Sequence, residues 1–156
     1  ERVVTVTGDG VVNPGNYKVL FGTNQNELIE AAGGLKEGCE KVISGGPMMG
    51  FAMYTTDTPI TKTSSSILCM SKDEVSACEP TACINCGRCV DACPSRIIPS
   101  RLADFAERHD EEAFLKFNGL ECVECGSCSY VCPAKRQLKQ AIGSMRKTAL
   151  ANKKKK

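Results

Sequence analysis

Tryptophan is missing from this chain, histidine occurs once, at His109, and the aromatic complement is five Phe and three Tyr in 156 residues. With one imidazole no His-rich metal site can be assembled, and no Ser-His-acid set is expected. His109 falls at a break between two charged helical stretches and reads as a surface or capping residue. No segment approaches the roughly 20 apolar residues that a spanning helix needs. The first residues, Glu1-Arg2-Val3-Val4, carry neither a charged leader nor an apolar core of a secretion signal. A phosphate loop of the Gly-Lys-Ser/Thr type is also lacking. Gly8-Asp9-Gly10 reads as a turn, because Asn13 stands where a dinucleotide fingerprint needs its third Gly. No nicotinamide or flavin site and no catalytic group are expected within the chain.

What the sequence has is cysteine. Of its 11 cysteines, eight crowd into residues 83 to 132 at three- and four-residue steps. An odd total and this crowding fit metal ligation in a reducing compartment better than a disulfide framework. Charge is also uneven. Residues 135 to 156 hold nine Lys or Arg and no acid, which leaves 11 basic against 18 acidic residues upstream. With 24% charged and 42% apolar residues the chain reads as globular, but two domains of this size bury only modest cores.

The first seventy residues follow a pattern of strands and turns. Val3-Val4-Thr5-Val6-Thr7 and Tyr17-Lys18-Val19-Leu20-Phe21 flank turn-forming Gly8-Asp9-Gly10 and Asn13-Pro14-Gly15-Asn16, as in a hairpin. Asn24 and Glu27 make a capping box for a helix over 27–32 that Gly33-Gly34 ends. Lys41 to Ser44 and a segment within Ile60 to Met70 read as further strands. The class is α+β, a small sheet with a helix on one face. In the loop Gly45-Gly46-Pro47-Met48-Met49-Gly50, glycine is expected to supply sharp turns and methionine to fill gaps in the core. Cys39 and Cys69 are expected to be packing residues, and Cys78 a spare.

Residues 71–79 read as a linker, after which an internal repeat begins. Cys83-Ile-Asn-Cys86-Gly-Arg-Cys89-Val-Asp-Ala-Cys93-Pro94 recurs 39 residues later as Cys122-Val-Glu-Cys125-Gly-Ser-Cys128-Ser-Tyr-Val-Cys132-Pro133. In a Cys-x2-Cys-x2-Cys-x3-Cys-Pro run, three thiolates from one tight loop surround a 4Fe-4S cube, while the fourth ligates the cube of the other run. The expectation is two 4Fe-4S clusters. Cluster one takes Cys83, Cys86, Cys89 and Cys132; cluster two takes Cys122, Cys125, Cys128 and Cys93. Gly87 and Gly126 let the backbone approach the inorganic sulfurs with positive φ. Zinc also accepts four thiolates, but the doubled four-cysteine run is more specific than its Cys-x2-Cys pairs. Between and after the runs, Ser100 and Asp110 are expected to cap helices, and Leu138, Ala141, Ile142 and Met145 to line an amphipathic one. Four terminal lysines, 153–156, are expected to be disordered. They read first as a solvated tail; holding the chain near anionic lipid is the alternative, whereas no aromatics interleave them for nucleic acid.

The Gly45–Gly50 loop, the linker and the paired runs resemble the C subunit of the Rnf ion-translocating electron-transport complex. That resemblance implies a soluble-ligand-binding β-grasp domain at 1–70, a mainly helical double-cubane ferredoxin domain at 80–147 and a basic tail at 148–156. It further implies a fragment, with FMN and NADH bound only in a preceding domain absent from this chain. The implied partners are other subunits of the complex, with ferredoxin or NADH as redox partners of the assembly. The implied place is peripheral, at the cytoplasmic face of the cell membrane, in an oxidoreductase coupled to Na+ or H+ transport. A cobalamin-reductase subunit of bacterial microcompartments has a similar arrangement, and a zinc-stabilised interaction module is the alternative of another class.

Overall fold

The computed structural model describes residues 1–74 and 77–155, and the chain divides into two compact units, 1–77 and 78–156. The linker expected over 71–79 includes Val75 and Ser76, and the expected tail includes Lys156; these three lie outside the described residues.

The first unit is a five-stranded sheet in the order β2-β1-β5-β3-β4. β1 (Arg2–Thr7) and β2 (Gly15–Val19) form the expected antiparallel hairpin. β1 also runs parallel to β5 (Ser66–Met70), which is antiparallel to β3 (Lys41–Ser44). Alternation places Val4 and Val6 of β1 and Ile67 and Cys69 of β5 on one face. There they meet Leu28, Ile29 and Ala32 from α1 (Gln25–Ala31) and its C-cap to make the core. Asn24 caps α1 as expected, its side chain accepting from the Asn26 N–H, and Gly33 and Gly34 follow the helix with positive φ.

The structure adds one element to those expected of this unit and corrects one expectation. A short edge strand, β4 (Phe51–Met53), pairs with β3; with only three residues it offers no alternation to detect. The loop between them is tight because a Cβ on Gly50 would stand 2.5 Å from the Gly46 carbonyl oxygen. Met48 and Met49 do not fill the core; both are exposed at the tip, and only Met53 packs inward. Cys39 and Cys69 do pack, Cys69 fully buried in the sheet core. Burial pushes the Cys69 thiol up to about 11, with the Cys39 sulfur adding to the shift.

The second unit is helical: α2 (Arg88–Asp91), α3 (Pro99–Glu107), α4 (Glu111–Lys116), a 3-10 turn (Gly119–Glu121), α5 (Ser127–Tyr130) and α6 (Leu138–Lys155). Leu102, Ala103, Ala106, Phe114, Leu138, Ile142 and Met145 form its core, against which Cys89, Cys93, Cys122 and Cys132 pack. Asp110 caps α4 by accepting from the Ala113 N–H. Ser100 is no cap: α3 begins before it, with Pro99 in its first turn. His109, exposed with φ 56°, makes the bend between α3 and α4. The basic end departs from the disorder expected of it. α6 remains helical through Lys155, because Ala149 continues the buried stripe of Ile142 and Met145, and cations in a last turn favour the helix dipole. Among the described residues, no helix is long and apolar enough to cross a membrane.

Candidate iron-sulfur centre

Each cysteine run builds the same small device. A loop carries the first two thiols, a glycine turns the chain, and a one-turn helix presents the third. Gly87 (φ 78°) precedes α2 and Gly126 (φ 84°) precedes α5. The residue before the second cysteine is left-handed in both copies, Asn85 and Glu124 at φ 54°. So is the third residue after the last cysteine, Arg96 at 52° and Lys135 at 53°. Non-glycine residues adopt this region uncommonly, so two matched non-glycine pairs beside the glycine pair mark an imposed backbone. Successive N–H groups in such left- and right-handed alternation form concavities that hold anions, iron-sulfur clusters included. The glycines were legible from the sequence; the other four positions could have been found only by asking which residues the repeat itself equates.

The runs are then interleaved. One cavity of about 110 Å³ is lined by Cys83, Cys86, Cys89 and Cys132. Another, of about 20 Å³, is lined by Cys122, Cys125, Cys128 and Cys93. Each therefore takes three thiols from one run and the last from the other. Gly87 lines the first and Gly126 the second. Cys39 and Cys69 belong to the other unit and Cys78 lines neither cavity. Among the described residues, no three His, Cys, Asp or Glu side chains close around one point as the ligands of a single ion do.

The two cavities differ in their surroundings. Cys83 and Cys86 are exposed, whereas Cys122 and Cys125 are half-buried and Cys128 is buried. Burial pushes the Cys128 thiol up to about 11 and raises that of Cys122, while the Ser127 hydroxyl and N–H hold Cys125 down. The Glu124 N–H donates to the Cys122 sulfur at 3.4 Å. α6 fastens the second loop: Arg146 donates to the Leu120 carbonyl and pairs with Glu124, both at 3.2 Å, and the Lys139 N–H donates to the Ser129 hydroxyl at 2.9 Å. At the first cavity, Arg136 donates from Nη2 to Asp104 at 2.9 Å and to Glu107 at 2.9 and 3.0 Å.

This arrangement has counterparts among known proteins. The family model for the SLBB domain matches residues 3–52, and that for the 4Fe-4S dicluster domain matches residues 82–136. The chain is 40% identical over 155 residues to the C subunit of the Na(+)-translocating ferredoxin:NAD(+) oxidoreductase complex of Acetobacterium woodii, covering 99% of this chain and 35% of that one. It is 48% identical over 143 residues to the C subunit of the proton-translocating ferredoxin:NAD(+) oxidoreductase complex of Clostridium ljungdahlii, covering 91% and 31%. Over 113 residues it is 43% identical to the C subunit of the ion-translocating oxidoreductase complex of Yersinia enterocolitica, covering 72% and 16%. The chain thus spans about a third or less of the length of these relatives.

Proposed function

Since this chain, an SLBB domain followed by a 4Fe-4S dicluster domain, belongs to the family of C subunits of the ion-translocating oxidoreductase complexes, we propose that it is the electron relay of such a protein, conducting between ferredoxin and NAD chemistry. The observation that carries the proposal is the crossed lining of the two cavities, three thiols from one run and the last from the other. The 4Fe-4S match turns the reading away from a zinc module.

In this reading Cys83, Cys86, Cys89 and Cys132 hold one 4Fe-4S cluster, and Cys122, Cys125, Cys128 and Cys93 hold the second. Each cluster, when bound, accepts and returns one electron. The chain's own part is to fix the two sites at one separation, since Cys93 and Cys132 sit at the join between them. It also supplies the Glu124 N–H to the Cys122 sulfur, and such a bond favours the charge gained on reduction. The half-buried second set excludes more water than the exposed first set.

The SLBB unit, with Met48, Met49, Phe51 and Tyr54 exposed around its β3-β4 turn, serves to dock the relay onto the rest of the assembly. Coupling to Na+ or H+ transport, flavin and NADH binding, and a peripheral position at the cytoplasmic face of the membrane belong to the complex as a whole. The test is stepwise anaerobic reduction of the reconstituted chain. Uptake of two electrons per chain, with two interacting EPR signals, is the expected result. A chain that takes up none, with its iron retained, contradicts the relay.

A further inference from the structure

The two cavities are related by the repeat, so their walls can be compared position by position. Arg136 lines the first cavity, and the residue 39 positions earlier, Ile97, lines the second. Where the first has Ser100, the second has Lys139, and where the first has Asn85, the second has Glu124. Among the described residues, Arg136 is consequently the sole charged one in the lining of the first cavity, while the second carries one charge of each sign.

Arg136 is also held in place. Its side chain is 11% exposed, and one guanidinium nitrogen serves both Asp104 and Glu107. Those carboxylates line an adjoining outer groove, which Arg136 and Cys83 also border, and are 36% and 56% exposed. Water therefore screens them more than it screens the guanidinium. Burial alone would weaken the charge, but the hydrogen bonds to Asp104 and Glu107 outweigh it and keep Arg136 ionised.

We propose that Arg136 is a positioning residue for the electron: it raises the reduction potential of the cluster held by Cys83, Cys86, Cys89 and Cys132, and so draws the electron toward that end of the relay. The proposal rests on the crossed-ligand reading above. A 4Fe-4S core with four thiolates gains negative charge on reduction, and a fixed cation at its wall stabilises the reduced form. At the other cluster Ile97 gives no such help, and the two charged residues of that lining, Lys139 and Glu124, are of opposite sign. Asp104 and Glu107 temper the effect while aiming the guanidinium.

Redox titration of the loaded chain, followed by EPR, tests this. Arg136→Gln should lower the potential of the signal that Cys86→Ser perturbs, by about tenfold in the ratio of reduced to oxidised cluster at fixed potential, which is about 59 mV for one electron. The signal of the other cluster should stay in place. Arg136→Lys should restore most of the loss. Glu107→Gln, an exposed and mild change, should move the same signal upward. With iron and both signals retained, unchanged potentials in Arg136→Gln and Glu107→Gln overturn the proposal. Loss of two distinguishable signals already in the unaltered chain would count against the crossed-ligand reading instead.

Discussion

Cys93 and Cys132, equivalent residues 39 positions apart, each face the cavity built by the other's repeat. Replacing either with Ala should therefore damage the distant site. In Cys132→Ala the cluster of Cys83, Cys86 and Cys89 should be lost or converted to a species with fewer irons. In Cys93→Ala the cluster of Cys122, Cys125 and Cys128 should suffer. Iron and sulfide counts with EPR distinguish the outcomes; if each variant harmed only its own run's cluster, the pairing would be uncrossed.

Much of this was open to inspection in the sequence, and the reasons are local. A thiol set at fixed steps followed by Pro is specified by chemistry and spacing, so Cys83 to Cys93 and Cys122 to Cys132 announce themselves. So does the β1-β2 hairpin, whose β-branched alternation and turn residues act over short range. Arg136 could not be found that way. Its importance comes from its bonds to Asp104 and Glu107 on α3 and from standing where the repeat puts Ile97, and neither relation is a motif. The helical run of lysines in α6 was hidden because a charge run argues for disorder, while the buried stripe ending at Ala149 argues for helix and wins.

The helical unit should depend on its clusters. Cys128 is part of its apolar core and Cys89, Cys93, Cys122 and Cys132 pack against it, so stripping iron leaves polarisable thiols facing an unfilled space and removes metal-linked folding energy. Circular dichroism of the chain, before and after anaerobic chelation, should show loss of helix. The sheet unit has its own core and should persist. Methyl NMR signals of Val4 and Val6 that survive chelation while those of Leu102 and Ile142 collapse are the expected result; full retention of both sets would refute the dependence.

Two glycines are fixed by close approach. A Cβ at Gly119 would come within 2.3 Å of the Phe114 ring, itself fully buried, so Gly119→Ala should overpack the helical unit and cost on the order of 1–3 kcal/mol. At Gly8 the added carbon would meet the Cys69 carbonyl oxygen at 1.9 Å with φ at +112°. Backbone cannot yield as a ring can, so Gly8→Ala should be the more damaging and act on the sheet unit. Denaturant unfolding with the same methyl probes assigns each loss to its unit. Wild-type midpoints for both variants would contradict these contacts.

Acid should loosen one tie within the sheet unit. The Asp9 carboxylate accepts from the Ser71 hydroxyl and from the Ser71 N–H, the latter at 2.9 Å. These hydrogen bonds, the hydroxyl's first, hold its pKa below the ordinary value. A depressed folded-state pKa contributes stability above the unfolded value, and that contribution disappears as pH falls through the folded one. The tie should therefore weaken only below about pH 4. Asp9→Asn should be less stable at neutral pH yet show a shallower acid slope, read from Val4 and Val6 methyl signals during thermal unfolding. An identical slope in both proteins would leave Asp9 without this role.

Iron and inorganic sulfur together decide whether the two cavities hold cubes at all. Strictly anaerobic preparation of the chain, followed by assay of both elements, should give about eight iron atoms and about eight acid-labile sulfides per chain, the content of two four-iron cubes. A folded protein with zinc in place of iron, or with iron but without labile sulfide, would contradict the crossed pair of clusters.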